Sequence, residues 1–555
     1  MKQNALLKAL VALAICIVLN VLAGFAYARF DLTEDQRYTL SKPALEISQT
    51  FEGPVIIDIL LDGNIPAEFQ KLKTETIQLL QSFQAVNPQI QYNLVDPLEG
   101  AETAQQTIMD LQNIGLTPAN VTVEEDGKVS QELVFPWAMV NYGERTVRVP
   151  LLKNKLGSDT ETRINNSVQQ LEYAFADAFT KLALQQKKRI AVLRGNGQLE
   201  DSYLADYLTT LKEYYNIGVI TLDSVSATPK KVLDQLKQFD LAIMAKPTEA
   251  FTEKEKFVLD QFIVGGGKSI WLMDQVAIEI DSIFKGGGRA LALPRELNLK
   301  EFFYRYAVRI NPDIVNDLYF TQIVLASGEG NDAQYNPVPW YYHPMVFSQN
   351  DHPINTNIEA VRYQFANTLD TLPNAYQKTV LLQSSPLSKT EGAPKQVGLD
   401  IIQKAPDKDT YIDGNKPLAV LIEGEFNSAY KNRVKPFKLN ETLDSGNANK
   451  MIVISDGDVI KNQLRNGRPL ELGYDKWTNS SYGNKEFLVN CANYLLDDTG
   501  LINIRNKRVS IPLLDVEKTT AKKSFWQFIN VGLPLAITLI LAILVPYFRK
   551  RIYAK

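Results

Sequence analysis

The chain reads as an α/β protein held between two membrane spans, and three observations predict it. Short apolar runs alternate with segments of helical period through most of the length, the mark of βαβ units. Two stretches of membrane-spanning length, one near each end, carry no charge. At 45% hydrophobic and 22% charged, the 555 residues can fill buried cores, which excludes bulk disorder.

Residues 9–28 read ALVALAICIVLNVLAGFAYA, with Asn20 the single strongly polar residue. Residues 525–548 read FWQFINVGLPLAITLILAILVPYF. About 20 such residues, rising 1.5 Å each, cross a hydrocarbon core of roughly 30 Å. Tyr27, Trp526 and Tyr547 fall near the ends, where amphipathic rings favour the interface. Lys2 and Lys8 precede the first span, and Arg549, Lys550, Arg551 and Lys555 follow the second. Both termini therefore read as cytoplasmic, with the long middle of the chain on the far, periplasmic side of the inner membrane. Ala26-Tyr27-Ala28 resembles a signal cleavage site, but the apolar core is longer than a signal peptide's, so an uncleaved anchor is expected. Cys16 follows Ile15 in mid-span, which does not suit a lipobox.

Between the spans the expected order begins with a strand at 55–61 and a helix at 67–86 opened by Pro66. A second strand, a helix near 103–114 and further strands to Pro150 follow, with Asp126-Gly127 as a hairpin turn. This β-α-β-α-β-β order suggests a small mixed sheet, broadly thioredoxin-like, but it holds no cysteine for thiol chemistry. A long helix near 161–184 presents Ile164, Val168, Leu171, Phe175 and Phe179 on one face. From Arg189 onward, RIAVLRG, IGVITLD, DLAIMAKP and KSIWLMD are buried-strand runs separated by helical segments, so a Rossmann-like parallel sheet is expected. Thr252 and Glu255 fit a capping box. KPLAVLIEG and NKMIVISD add strands after a polar stretch, 326–394, expected to hold long loops and some strands. The divisions are a tail (1–8), a span (9–28), an N-terminal α/β part (29–186), a Rossmann-like part (187–500), a stalk (501–524), a span (525–548) and a tail (549–555).

Chemistry is scarce. The formal charge, 59 basic against 63 acidic residues, is −4 and gives no general pull toward nucleic acid. Two histidines and two cysteines exclude most zinc sets and any disulfide framework. Gly265-Gly266-Gly267-Lys268-Ser269 leaves a helix and enters a strand, the reverse of a P-loop, and reads as a helix cap. Gly195-Asn196-Gly197 lacks the third glycine of a dinucleotide fingerprint, with Glu200 in its place. No G-x-S-x-G elbow occurs, and Cys491 sits in a helical apolar run. His343 and His352 are expected in loops, each making a backbone hydrogen bond. A cleft would lie at the carboxyl ends of the strands, where Arg194, Asn196, Asp274 and Asp456 fall. Asp456 and Asp458 are expected to cap a turn, and neither a metal nor a cofactor is expected.

Beyond the first span, Asp31, Leu32 and Thr33, then Arg37, Tyr38, Thr39, Leu40 and Ser41, form FDLTEDQRYTLS. With LDGNIPAEFQKLKTETIQLLQSF, DHPINTNIE, KPLAVLIEGEFNSAYKNR and the closing FRKRIYAK, this resembles the GldG-type accessory proteins of gliding-motility ABC transporters. The resemblance runs along nearly the whole chain. It implies a second domain similar to the class I glutamine amidotransferase-like fold, without the catalytic cysteine, since the candidate strand continues as AIMAKPTE. It also implies work with a membrane permease and a cytoplasmic ATPase, and contact with other envelope gliding proteins. The expected role is therefore that of a non-enzymatic accessory subunit, with a solute receptor or a degenerate hydrolase as alternatives. Asp31, Thr33, Arg37, Tyr38 and Ser41 read either as caps of two short helices or as the segment that docks on the permease.

Overall fold

A computed structural model of the protein describes residues 14–15, 31, 39–63, 65–99, 104–125, 128–153, 158–184, 186–328, 334–507 and 516–553. The chain divides into two compact units, Met1–Arg508 and Val509–Lys555.

The first unit opens on α1 (Lys42–Ser48), with Pro43 in its first turn. β1 (Val55–Ile59), α2 (Ala67–Val86), β2 (Ile90–Leu94), α3 (Ala104–Asn113), β3 (Ala119–Glu125), β4 (Lys128–Val134), β5 (Trp137–Tyr142) and β6 (Arg145–Pro150) follow. Four of these strands form a sheet in the order β2-β1-β5-β6, parallel at β1–β2 and antiparallel elsewhere. This is the mixed sheet expected. β3 and β4 pair as a separate hairpin with Glu125 opposite Lys128; its turn, Asp126-Gly127, lies outside the described residues. α2 buries Phe69, Leu72, Thr76, Leu80 and Phe83, the spacing that puts one stripe on the sheet. α4 (Thr160–Ala183) starts where the Asp159 carboxylate accepts the Thr162 amide, and all five apolar residues read from its period are buried. Its Phe179 meets Phe51 and Phe83 edge to face.

The same unit continues with β7 (Arg189–Arg194), α5 (Asp201–Leu211), β8 (Asn216–Thr221), α6 (Pro229–Leu236), β9 (Leu241–Ala245), α7 (Glu253–Val264), β10 (Lys268–Leu272) and α8 (Ile280–Lys285). After these come β11 (Phe320–Ser327), β12 (Gln334–Val346), β13 (Val361–Arg362), β14 (Gln377–Gln383), β15 (Pro417–Asn427), β16 (Ser445–Ile454) and α9 (Asn484–Leu496). Seven strands form one sheet, ordered β14-β15-β16-β10-β9-β7-β8. The stretch from β16 to β8 is parallel throughout. β15 runs against both neighbours. A long excursion rather than a helical crossover precedes it, so nothing obliges it to re-enter from the same end. Alternate residues feed two cores, one around Leu193, Phe257, Trp271 and Val453, the other around Val192, Ile243, Ile452 and Phe487.

The polar stretch holds strands as expected, among them β12, a strand of 13 residues whose Pro337, Pro339 and Pro344 mask its position in sequence. One expectation needs correction. The stalk does not begin at 501: Leu501–Asn506 is a 3₁₀ helix on the first unit, and buried Arg505 pairs with Glu486 of α9 at 2.8 Å. Lys153 joins the same carboxylate at 2.5 Å, and Lys181 of α4 pairs with Asp177 and, across to the larger sheet, with Glu213. Both sheets thus belong to one unit.

In the second unit the helix α10 (Lys523–Ile552) is long and apolar enough to cross a membrane, matching the span read at 525–548. The first span lies outside the described residues except for Ala14 and Ile15.

Candidate functional site

Parallel strands deliver their carboxyl ends to one edge of a sheet, and here a polar residue ends each apolar run. Arg194 closes β7, Lys246 follows β9, Asp274 follows β10, and Asp456 and Asp458 follow β16. β8 and β9 lie on opposite sides of β7, which makes the switch point where α/β sheets open a crevice.

Lys246 is the centre of this edge. Its backbone takes φ 53°, unusual for a residue with a side chain, and its amide donates to Leu272 at 3.0 Å. The side chain is 3% exposed. Its Nζ lies 2.6 Å from Asp458 Oδ2, 2.5 Å from Glu279 Oε1 and 3.3 Å from Asp274 Oδ2. Lys461 adds a second ammonium, 3.4 Å from Asp458 Oδ1 and 3.7 Å from Glu279 Oε2. Gly457 makes room: a Cβ there would stand 2.3 Å from Lys246 Cγ. Its amide donates to Asp274 Oδ1, and the Asp458 amide donates to Asp456 Oδ1 at 2.7 Å, the turn cap expected of Asp456.

Burial works against the charge on Lys246, but Asp458, Asp274 and Glu279 outweigh it and hold the ammonium well above its ordinary range. For Asp458, burial is overcome by Lys246 and Lys461, and its pKa falls to about 2. Asp456 is fully buried, and burial, with Asp458 and Asp274 beside it, pushes its carboxyl well up. Burial and Asp458 likewise raise Glu279, against the pull of Lys246. Carboxylate oxygens of Asp274, Glu279 and Asp458 lie within 4.8 Å of one another, a spacing that suits a divalent cation. Lys246 Nζ already stands within ion-pair distance of all three.

Of the sequence-derived cleft residues, Asp274 and Asp456 therefore meet in this cluster. Arg194 pairs with Asp201, and Asn196, at φ 53°, ties its turn to Ala250 and Glu255. Lys246, Glu279 and Lys461 were missed; the signal for Lys246 was a charge closing the fully apolar run LAIMA before Pro247. Cys491 is fully buried in α9, and burial pushes its thiol up. His352 sits in a loop, where its Nδ1 accepts the Ile354 amide at 3.3 Å. His343 departs from expectation: it lies in β12, fully buried, with neither ring nitrogen bonded. Burial and nearby Arg362 hold it well below the ordinary range, so its imidazole is neutral.

The cluster forms part of the floor of a cavity of about 770 Å³. Glu279, Lys461, His343 and Arg362 are polar lining groups, and Phe284, Ile323, Leu325 and Trp477 give it apolar walls. A larger cavity, about 890 Å³, lies elsewhere, beside Arg145, Lys181 and Lys187. Those cations are already engaged, Lys181 with Glu213 and the other two with main-chain carbonyls.

In the segment beyond the first span, Thr33, Arg37 and Tyr38 lie outside the described residues. The Asp31 carboxylate accepts from Thr39 Oγ1 at 3.0 Å. Ser41 occupies the N-cap of α1 without a side-chain cap bond; its amide instead donates to Glu172 Oε1 at 2.7 Å. Lys507 reaches the other oxygen of that carboxylate at 2.6 Å and the Thr39 carbonyl at 2.6 Å.

A family model described as "ABC-type uncharacterized transport system" matches residues 187–491. A second, a domain of unknown function, matches residues 34–141. No curated protein matches the chain. Among solved structures, the "mmIFT52 N-terminal domain" aligns at 13% identity, over 56% of this chain and 99% of that one, with a TM-score of 0.32, too loose a likeness to bear on fold or function.

Proposed function

The chain belongs to the family described as an ABC-type uncharacterized transport system, whose model spans more than half of it, and from that premise we propose a non-enzymatic, extracytoplasmic accessory subunit of an ABC transporter complex that serves gliding motility. Family membership carries the association with an ABC transporter, and α10 supplies one membrane-capable helix. The gliding role rests on the resemblance of the FDLTEDQRYTLS segment and of DHPINTNIE to the GldG-type proteins.

One observation carries the non-enzymatic reading. Where a strand of this sheet turns sharply at positive φ, a position suited to an exposed nucleophile, the residue is a buried lysine locked by three carboxylates. A protonated, ion-paired ammonium is neither nucleophile nor base. Two spans and a periplasmic middle are favoured by the Glu172 clasp, which holds Ser41, near the end of the first apolar stretch, beside Lys507, shortly before the second. A chain that leaves and re-enters one membrane needs its two ends together.

The test is purification of the full-length protein from its own membranes. The reading expects a permease and a cytoplasmic ATPase in stoichiometric yield, reporters at both termini on the cytoplasmic side, and an intact mass without cleavage after Ala28. Recovery without transporter subunits, or an external C-terminus, would overturn it.

A further inference from the structure

We propose that the cavity beside β11 binds an extended, uncharged peptide segment, which adds as a strand to the open edge of β11. This goes beyond the accessory role and is independent of which transporter is served.

The lining shows the edge. Gln322, Ile323, Val324, Leu325 and Ala326 all line the cavity. Side chains of a strand alternate between faces, so five consecutive residues can share one cavity only if it runs along the strand's backbone edge. In its sheet β11 stands at the margin, paired with β12 alone among the described residues.

The register says which groups face the opening. Val324 stands opposite Pro337 and Gln322 opposite Pro339. Proline has no N–H, so these cannot be the pairs that exchange hydrogen bonds; Ile323 with Val338 and Leu325 with Asn336 take that role. The N–H and C=O of Gln322 and Val324 therefore point away from β12, into the cavity. An edge of this kind is a template for another strand.

The walls select among extended chains. Phe284, Trp477 and Tyr335 are exposed to the cavity, and Tyr335 stacks on Trp477 with ring centroids 6.5 Å apart. Arg362, Lys461 and Lys476 balance Glu279, Asp281 and Asp475 among the lining residues. Arg362 is 3.5 Å from Asp475, and Lys461 pairs with Glu279 and Asp458. The lining thus has no net charge to offer a charged ligand, and an uncharged segment with apolar side chains at alternate positions complements it. His343 supplies a further anchor, a buried neutral imidazole with a donor and an acceptor both unused.

The probe is a phage-displayed random heptapeptide library, selected on the purified full-length protein in detergent. The best peptide is then synthesised plain and with alternate backbone amides N-methylated. Enrichment of uncharged sequences is expected, with binding at least about tenfold weaker for the N-methylated form, the size of one good hydrogen bond or more. Val324→Pro removes one edge donor while leaving the β11–β12 ladder intact, and should weaken the plain peptide similarly; Val324→Ala should change it less than about threefold. If Val324→Pro does not fold, the N-methylated pair on the wild-type chain decides alone. No enrichment over a detergent-only control, or equal affinity for plain and N-methylated peptides, overturns the proposal. Neither outcome touches the transporter association, which co-purification tests.

Discussion

Lys246 shows how much one residue can hold. Its ammonium pairs with carboxylates from two separate segments, Asp274 and Glu279 after β10 and Asp458 after β16, and its aliphatic stem fits only because residue 457 has no Cβ. Lys246→Met keeps the stem and removes the charge, leaving Asp458 and Asp274 buried with one ammonium fewer. The expected loss is about 3–5 kcal/mol at neutral pH, by urea unfolding of the full chain. The pH dependence follows from Asp458, whose folded pKa of about 2 lies below its ordinary 3.8. Its stabilisation is fully present above about pH 4 and is lost as pH falls toward 2, so the gap between wild type and variant should narrow over that window. A gap that widens on acidification would show that Lys246 does not act through Asp458. Gly457→Ala should also destabilise, by about 1–3 kcal/mol, because a Cβ 2.3 Å from Lys246 Cγ must push the stem aside.

At the scale of elements, legibility depended on whether the local signal and the fold agreed. α7 was readable because Thr252 and Glu255 cap it reciprocally, the Thr252 amide donating to the Glu255 carboxylate at 2.7 Å. Thr252→Ala should cost about 1 kcal/mol in thermal or urea unfolding, as cap losses do. β7, β9 and β10 were readable because strands buried on both faces carry near-continuous apolar runs, IAVL, LAIMA and IWL here. β12 was not, because its prolines break the local signal and only the register shows that their missing N–H groups are not needed by β11. The Lys246 cluster was half legible: Asp274, Asp456 and Asp458 stood at strand ends, but the lysine that pairs with Asp274, Asp458 and Glu279 meets them only through sheet order. No local pattern announced the Glu172 clasp, since Ser41, Glu172 and Lys507 are far apart in sequence. Glu172→Ala should speed hydrogen exchange in residues 39–48 and 501–507 together; acceleration of one segment alone would mean that they are held separately.

For the whole molecule, the clasp bears on how the protein would meet its transporter. Thr39 and Ser41 are tied to Lys507 and Glu172, so the fold anchors the carboxyl end of the FDLTEDQRYTLS segment at a defined point. Only about ten residues of sequence separate that anchor from the end of the first apolar stretch at Ala28. Two accounts of the segment make different demands on it. If Thr33 and Ser41 mainly cap helices, substitutions should lower stability; but Ser41 makes no side-chain cap bond, and its amide goes to Glu172 instead. If the segment docks on the permease, Arg37 and Tyr38 supply a planar donor fork and an amphipathic ring, groups suited to an interface. Replacing both by Ala should then lower co-purification of the permease severalfold while the thermal midpoint of the protein stays within a few degrees of wild type, since surface substitutions usually change stability by less than about 0.5 kcal/mol. An unchanged complex yield would reject docking. A collapse in stability would assign the pair to the fold of the segment itself, and the contact with the transporter would have to be sought on another face.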